Sequence, residues 1–405
     1  MRVLLIGDNA VSHAVADTLA RSAELYSIMR RENPGIKKLS MSYLIQEKPK
    51  PKEINAFAKK NQITYAIVLS RTFINKSVVD ELEKITTVIG PSVEAAKIEW
   101  DKTYAKEICE KLNIKTPYYI IVKTNEELKK ALEEFKNIEI SIKPNYYTMG
   151  RGTRFFKAND KDAYKYGAEI LKKGSAIIEP KINGKNFVVM GFTEGKNIVI
   201  APPVEVLRYY KGYISQGYAS CTTGYILDFL NKSDIEYARE SLRKVINYLR
   251  DKNLTIKGSF GAEFIKSNNE LYLTGFSSTF NDPASLNVLP LLRQELPVIL
   301  SDIIEGTIKA VSFNIYSNVC KFFFAKGYPN AKPNLKVYIN ERCIWNLGIR
   351  YFFQGLKEKQ NAFYTTSSRS IALVTRDETI EKAEKAINEA AKCIKGLEYV
   401  ERAFY

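Results

Sequence analysis

One histidine, His13, is all the imidazole this 405-residue chain has. A multi-histidine metal centre is thereby excluded. Cysteine is nearly as scarce: the five (Cys109, Cys221, Cys320, Cys343, Cys393) are odd in number, far apart and form no paired motif. That spacing argues against zinc and predicts reduced thiols in the cytoplasm rather than a disulfide framework. No apolar run approaches membrane-spanning length, and "MRVLLIGDNA" runs straight into a strand and a glycine. Neither a signal peptide nor a spanning helix is expected. Internal repeats and low-complexity tracts are also missing.

What is present describes a soluble globular chain: 45% hydrophobic and 26% charged residues, enough length for two to four cores. The formal net charge of +16 invites a nucleic-acid reading. Against it, lysines alternate with glutamates in "NEELKKALEEFKN" and "TIEKAEKAINEAAKCIKG", as on solvated helix faces. A solvated basic surface ranks first, small anionic ligands second and nucleic acid last. Rich Lys, Glu, Ile and Tyr usage also fits a thermophile.

Over the first hundred residues strands ("RVLLIG", "ELYSIMR", "ITYAIVLS") alternate with helices ("NAVSHAVADTLARS", "EINAFAKKNQ", "SVVDELEKI"). This alternation predicts a parallel, doubly wound sheet, with ligands beyond the strand ends near 7–13 and 70–75. "VEAAKIEWDKTYAKEICEKLNI" reads as one long helical stretch. A compact α+β unit follows, then a tyrosine-rich segment, a helix over 233–251 and a hairpin turned at Ser267-Asn268-Asn269. The last region is strand-rich and closes with a helix over 380–394.

In "ISIKPNYYTMGRGTRFF" a strand delivers Lys143, a loop carries Gly150-Arg151-Gly152 and another strand leaves. Glycines let backbone N–H groups approach phosphate oxygens, and the cations add charge. Alone, a Gly-x-Gly between strands reads first as a plain hairpin. In order along the chain, however, come the doubly wound region, "GPSVEAAKIEWDKTYAKEICEKLNIKTP", the lysine strand with its Gly loop, "AIIEPKINGKNF", "FNDP", "KGYPN" and the arginine of "TTSSRSIALV". Together these resemble the ATP-grasp ligases, and within them the phosphoribosylamine–glycine ligase family; "NPGI" and "NVLPLL" look like its archaeal members.

The resemblance implies a fold of mixed α/β and α+β class. An N-terminal doubly wound domain (1–100) would precede an ATP-grasp domain (101–309) with a lid (about 117–182) and a small C-terminal α+β domain (310–405). It implies an ATP-dependent carbon–nitrogen ligase of purine biosynthesis that forms glycinamide ribonucleotide from glycine and 5-phosphoribosylamine through a glycyl phosphate. Lys102, Lys143, Gly150, Gly152, Glu179, Lys181 and Ile182 would then bind ATP. Arg151 and Arg208 would act in catalysis, Gly7, His13 and Arg369 would meet substrate, and Glu263 would hold Mg2+ or Mn2+. Several positions depart from the family pattern. Its metal-binding Glu and Asn are here Gly275 and Ser277, its next arginine is Thr279, and the loop before His13 reads Asn9-Ala10-Val11-Ser12. One strand hydroxyl is a poor ligand for a hard cation. An alternative function follows: a non-catalytic paralogue that binds nucleotide or a partner protein, such as a motif-complete ligase.

Overall fold

A computed structural model describes residues 1–146, 148, 152–209, 214–220 and 227–401, with backbone alone at 208–209, 214–216 and 218–220. The chain forms two compact units. One combines Met1–Ala95, Val188–Gly261 and Ser278–Tyr405, the other Ala96–Phe187 and Ala262–Ser277.

In the first unit the expected parallel sheet is present. Its strands lie in the order Ser42–Ile45, Glu24–Met29, Arg2–Ile6, Tyr65–Val68 and Thr87–Pro91. Val3, Leu4, Leu5 and Ile6 are all fully buried, as a strand covered on both faces requires. Asn9 starts the Ala10–Leu19 helix by accepting the Ser12 N–H. An antiparallel ladder within the same unit runs Val204–Tyr209, Ile214–Ser220, Ser317–Phe323, Ile371–Asp377 and Arg350–Phe353. Phe322, Phe352 and Val374 of this ladder share one core with Val3 and Leu5 of the first strand. Beneath the Ile380–Ala391 helix, the fully buried Lys321 pairs with Glu384 and donates to Asn388 Oδ1 at 3.0 Å.

The cysteine expectation needs correcting. Cys343 and Cys393 form a disulfide across 50 residues, joining the Glu341–Asn346 helix to the segment after Ile380–Ala391. A sequence separation of 50 hides the pair from any spacing rule, because the fold alone brings their Cα atoms to 5.9 Å. Cys109 and Cys320 are buried thiols, and Cys221 lies outside the described residues.

The second unit holds a four-stranded antiparallel sheet, ordered Ile120–Val122, Ala176–Pro180, Glu139–Pro144 and Arg154–Lys157. Alternation assigns its faces: Ile140, Ile142 and Ile178 point into a core with Leu128 and Ala163 of two helices, Asn125–Glu134 and Lys161–Leu171. The opposite face therefore carries Ser141, Lys143 and Glu179. The single helical stretch expected over 93–114 is two helices, Val93–Trp100 and Lys102–Lys111. Asp101 between them is extended, and its carboxylate accepts the Tyr104 N–H at 3.0 Å, so the chain restarts as a freshly capped helix. The Ser267–Asn269 turn joins Ile256–Ser267 to Glu270–Ser277, with Asn268 and Asn269 at positive φ. Among the described residues, no helix is long and apolar enough to cross a membrane.

Candidate functional site

Polar side chains of the second unit converge on the sheet face left free by its core. Glu179, 2% exposed, lies between two ammonium groups: Lys106 at 2.6 Å, and Lys143 from the adjacent strand. The Ser141 hydroxyl points to the same carboxylate at 3.5 Å. Burial alone would push the Glu179 carboxyl up, but Lys143 and Lys106 outweigh it and hold the group below its ordinary range. Lys102 starts the helix that carries Lys106. Burial, then repulsion from Lys143, lowers it to about 8, with Glu179 pulling the other way. Burial also lowers Lys106, opposed by Glu179.

Lys106 went unnoticed in the sequence. Four residues after Lys102, it shares a helix face with that lysine, but "KTYAKEICEKLNIK" offers lysines at too many spacings to single one out. The Glu179 side chain is locked between lysines within the sheet, a feature the sequence, which suggested a connector offering its backbone there, did not show.

Around this cluster, Gly152 is buried and its carbonyl accepts the Tyr166 hydroxyl at 2.6 Å. A Cβ there would fall 2.3 Å from Pro144 Cγ, so only glycine fits. Lys181 pairs with Glu139 at 2.8 Å, and Ile182 beside it is half-buried. Gly150 and Arg151 lie outside the described residues.

The hairpin fits a metal poorly. Glu263 is half-buried on one strand, its carbonyl accepting the Thr274 hydroxyl at 3.3 Å. A Cβ at Gly275 would meet nothing within 4 Å. Among the described residues, no three His, Cys, Asp or Glu side chains gather where they could hold a metal ion. One carboxylate and the Ser277 hydroxyl do not make the oxygen set that magnesium or manganese takes.

The remaining candidates belong to the first unit. Gly7 passes so close to the Ala10–Leu19 helix that a Cβ would sit 2.2 Å from Ser12 Oγ. The His13 ring is 7% exposed and stacks on Phe353 at 5.6 Å. Its Nδ1 accepts the Phe353 N–H at 2.9 Å, and burial lowers its pKa to about 4. Gln354 Oε1 accepts the Ala10 N–H at 2.8 Å, and Asn33 donates to the Phe353 carbonyl at 2.7 Å. Arg369 pairs with Asp282 at 2.6 Å and lies over the Phe322 ring at 3.8 Å. The Asp-Pro aspartate thus anchors an arginine. Arg208 stands opposite Ser215 in the ladder, and its side chain is outside the described part.

A doubly wound sheet followed by an antiparallel sheet whose lysine-bearing face carries a buried ion-pair cluster defines an ATP-grasp protein. A biotin carboxylase from Campylobacter jejuni, solved as its beta-gamma-ATP complex, has this fold (TM-score 0.75, 15% identity, 98% of this chain and 92% of that one). So does phosphoribosylamine–glycine ligase from Thermotoga maritima (TM-score 0.79, 20% identity, 98% and 99%). Residues 1–99 match the family described as phosphoribosylglycinamide synthetase, N domain, and 100–285 match its ATP-grasp (A) domain. The phosphoribosylamine–glycine ligase of Methanothermobacter thermautotrophicus is 30% identical over 99% of this chain and 95% of its own length. The chain belongs to the phosphoribosylamine–glycine ligase family.

Proposed function

We propose that the chain binds ATP at the Lys102, Lys106, Lys143 and Glu179 cluster and joins glycine to 5-phosphoribosylamine. The observation that carries this reading is the charge imbalance: two lysines pair with one buried carboxylate and a third, Lys102, feels its field, a surplus that the phosphates of a nucleotide would offset. In the reaction, the glycine carboxylate attacks the γ-phosphorus, giving glycyl phosphate and ADP. The phosphoribosylamine nitrogen then attacks the acyl carbon and expels phosphate, forming glycinamide ribonucleotide. Such chemistry asks the protein for charge and alignment rather than a strong acid or base. We assign the lysines to the nucleotide phosphates, with the 150–152 loop over them and the Glu179–Ile182 backbone at the base. Arg151 and Arg208 would face the transferred phosphoryl group. Gly7 and Arg369 belong to the substrate side, where His13 shapes the loop by packing. No step is routed through a protein-held metal, because Glu263, Gly275 and Ser277 do not fit one.

That misfit favours a second reading, a paralogue that binds nucleotide or a partner protein without catalysis. ATP turnover with glycine and phosphoribosylamine, across magnesium and manganese, separates the two. Formation of glycinamide ribonucleotide supports the ligase. Nucleotide binding without product supports the paralogue, and absence of both defeats the nucleotide site itself.

A further inference from the structure

One ammonium group would neutralise Glu179. A second leaves positive charge in a place solvent scarcely reaches, which is costly until an anion arrives. The two partners come from different elements, Lys106 from a helix and Lys143 from a strand, so the carboxylate also ties helix to sheet. Lys106 is further fixed by the Pro117 carbonyl at 3.2 Å and by the Tyr119 ring, 5.1 Å away. Among the described residues, Lys102 has no carboxylate within ion-pair distance.

We propose that Glu179 is a positioning residue of the nucleotide site: it holds the Lys106 and Lys143 ammonium groups on one face of the sheet, where they can meet phosphate. The proposal rests on the nucleotide reading above and gives that site a built-in regulator of its charge. The other groups facing the cluster are few. Glu99 and Asp101 act on Lys102 from the chain before it, and Cys109 acts on Lys106 from its own helix. From the strand side, the Tyr119 hydroxyl is engaged by Glu110 at 2.7 Å. On Lys102, burial and Lys143 both oppose the charged form, while Glu179 supports it. Deleting the Glu179 charge and deleting the Lys143 charge must therefore move Lys102 in opposite directions, which a merely space-filling role for Glu179 would not produce.

The test is an NMR titration of the full chain after reductive 13C-methylation, with the Lys102 signal assigned by Lys102→Arg. In Glu179→Gln the Lys102 midpoint should fall by about one pH unit, roughly a tenfold loss of its protonated form. In Lys143→Met it should rise, and Glu179→Asp should stay near the native value. An unchanged or raised midpoint in Glu179→Gln overturns the proposal. Should that variant not fold, Glu179→Gln is combined with Lys143→Met, which removes the ion pair together, and a Lys102 midpoint no lower than in Lys143→Met alone is the overturning result. Calorimetry with ADP and with inorganic tripolyphosphate, in EDTA, follows from about pH 6.5 to 9.5. Affinity should decline as Lys102 loses its proton near 8, and about one unit earlier in Glu179→Gln. If the unmodified protein binds neither probe, the nucleotide reading fails, and the lysine titration still settles what Glu179 does.

Discussion

Packed against Gly35, Phe352 and Phe353, the His13 ring stays neutral far below the pH at which an exposed imidazole gains its proton. The unfolded chain takes up that proton near 6.5 and the folded one only near 4, so the unfolded state binds more protons between those values. The stability from a neutral His13 is thus complete above about pH 6.5 and is lost as pH falls toward 4, a total of about 3 kcal/mol. His13→Gln, which keeps an acceptor for the Phe353 N–H but cannot titrate, should lack this component. Urea unfolding at about pH 7 and pH 4 should show the gap between native protein and variant shrinking by that amount; a gap independent of pH would contradict the assignment. A second residue-scale expectation concerns the open space beside Gly275. Gly275→Glu with Ser277→Asn puts two oxygen ligands on one strand face, two residues apart, and the Cβ at 275 has room. Manganese affinity should rise from undetectable to measurable by calorimetry. If turnover with glycine and phosphoribosylamine rises as well, the native chain is a ligase short of metal ligands; metal gained without turnover points to the paralogue.

At the scale of elements, the disulfide is the feature with the largest expected effect. Closing 50 residues restricts the unfolded chain by about 4 kcal/mol in the chain-entropy view, an upper figure because a reduced chain keeps some structure. Cys343→Ser should lower the melting temperature measurably, and dithiothreitol should lower that of the native protein but not of the variant. Equal melting with and without reductant would mean that the bond is unformed or inert. The elements themselves were largely legible. The strand that delivers Lys143 and the amphipathic helices were marked in the sequence, because burial on one face imposes periods of two and 3.6 directly. The break at Asp101 was not legible. Apolar periodicity continues through it, and an aspartate is equally at home on a solvated helix face until its carboxylate is seen capping Tyr104. Nor does the sequence alone reveal Lys106 or the disulfide, since both depend on which distant elements the fold brings together. Glu179 was found, but its lysine partners come from 73 and 36 positions away (179 − 106 and 179 − 143).

At the scale of the molecule, the first unit is assembled from three separated stretches of chain. Val3 and Leu5 share their core with Phe322, Phe352 and Val374, and His13 accepts from Phe353. A chain cut after residue 309 should therefore lose the first unit altogether rather than shed a terminal appendage. Circular dichroism and size exclusion should find the 1–309 fragment aggregated or without a cooperative melt; a sharp native-like transition would show that the 310–405 region is dispensable for folding. The 96–187 stretch has a core of its own, drawn from residues 122–178, and its sheet is complete without the rest. Protein synthesis meets this layout in a fixed order. At roughly 5–20 residues per second, the opening strand leaves the ribosome about twenty seconds to more than a minute before Ile371–Asp377 is made. Through that interval "RVLLI" lacks the late strands that complete the core it belongs to, while the inserted sheet can already be finished. A host producing this protein has to keep the nascent Arg2–Ile6 strand from sticking to its neighbours, and slow translation of the 310–405 region would lengthen the exposure.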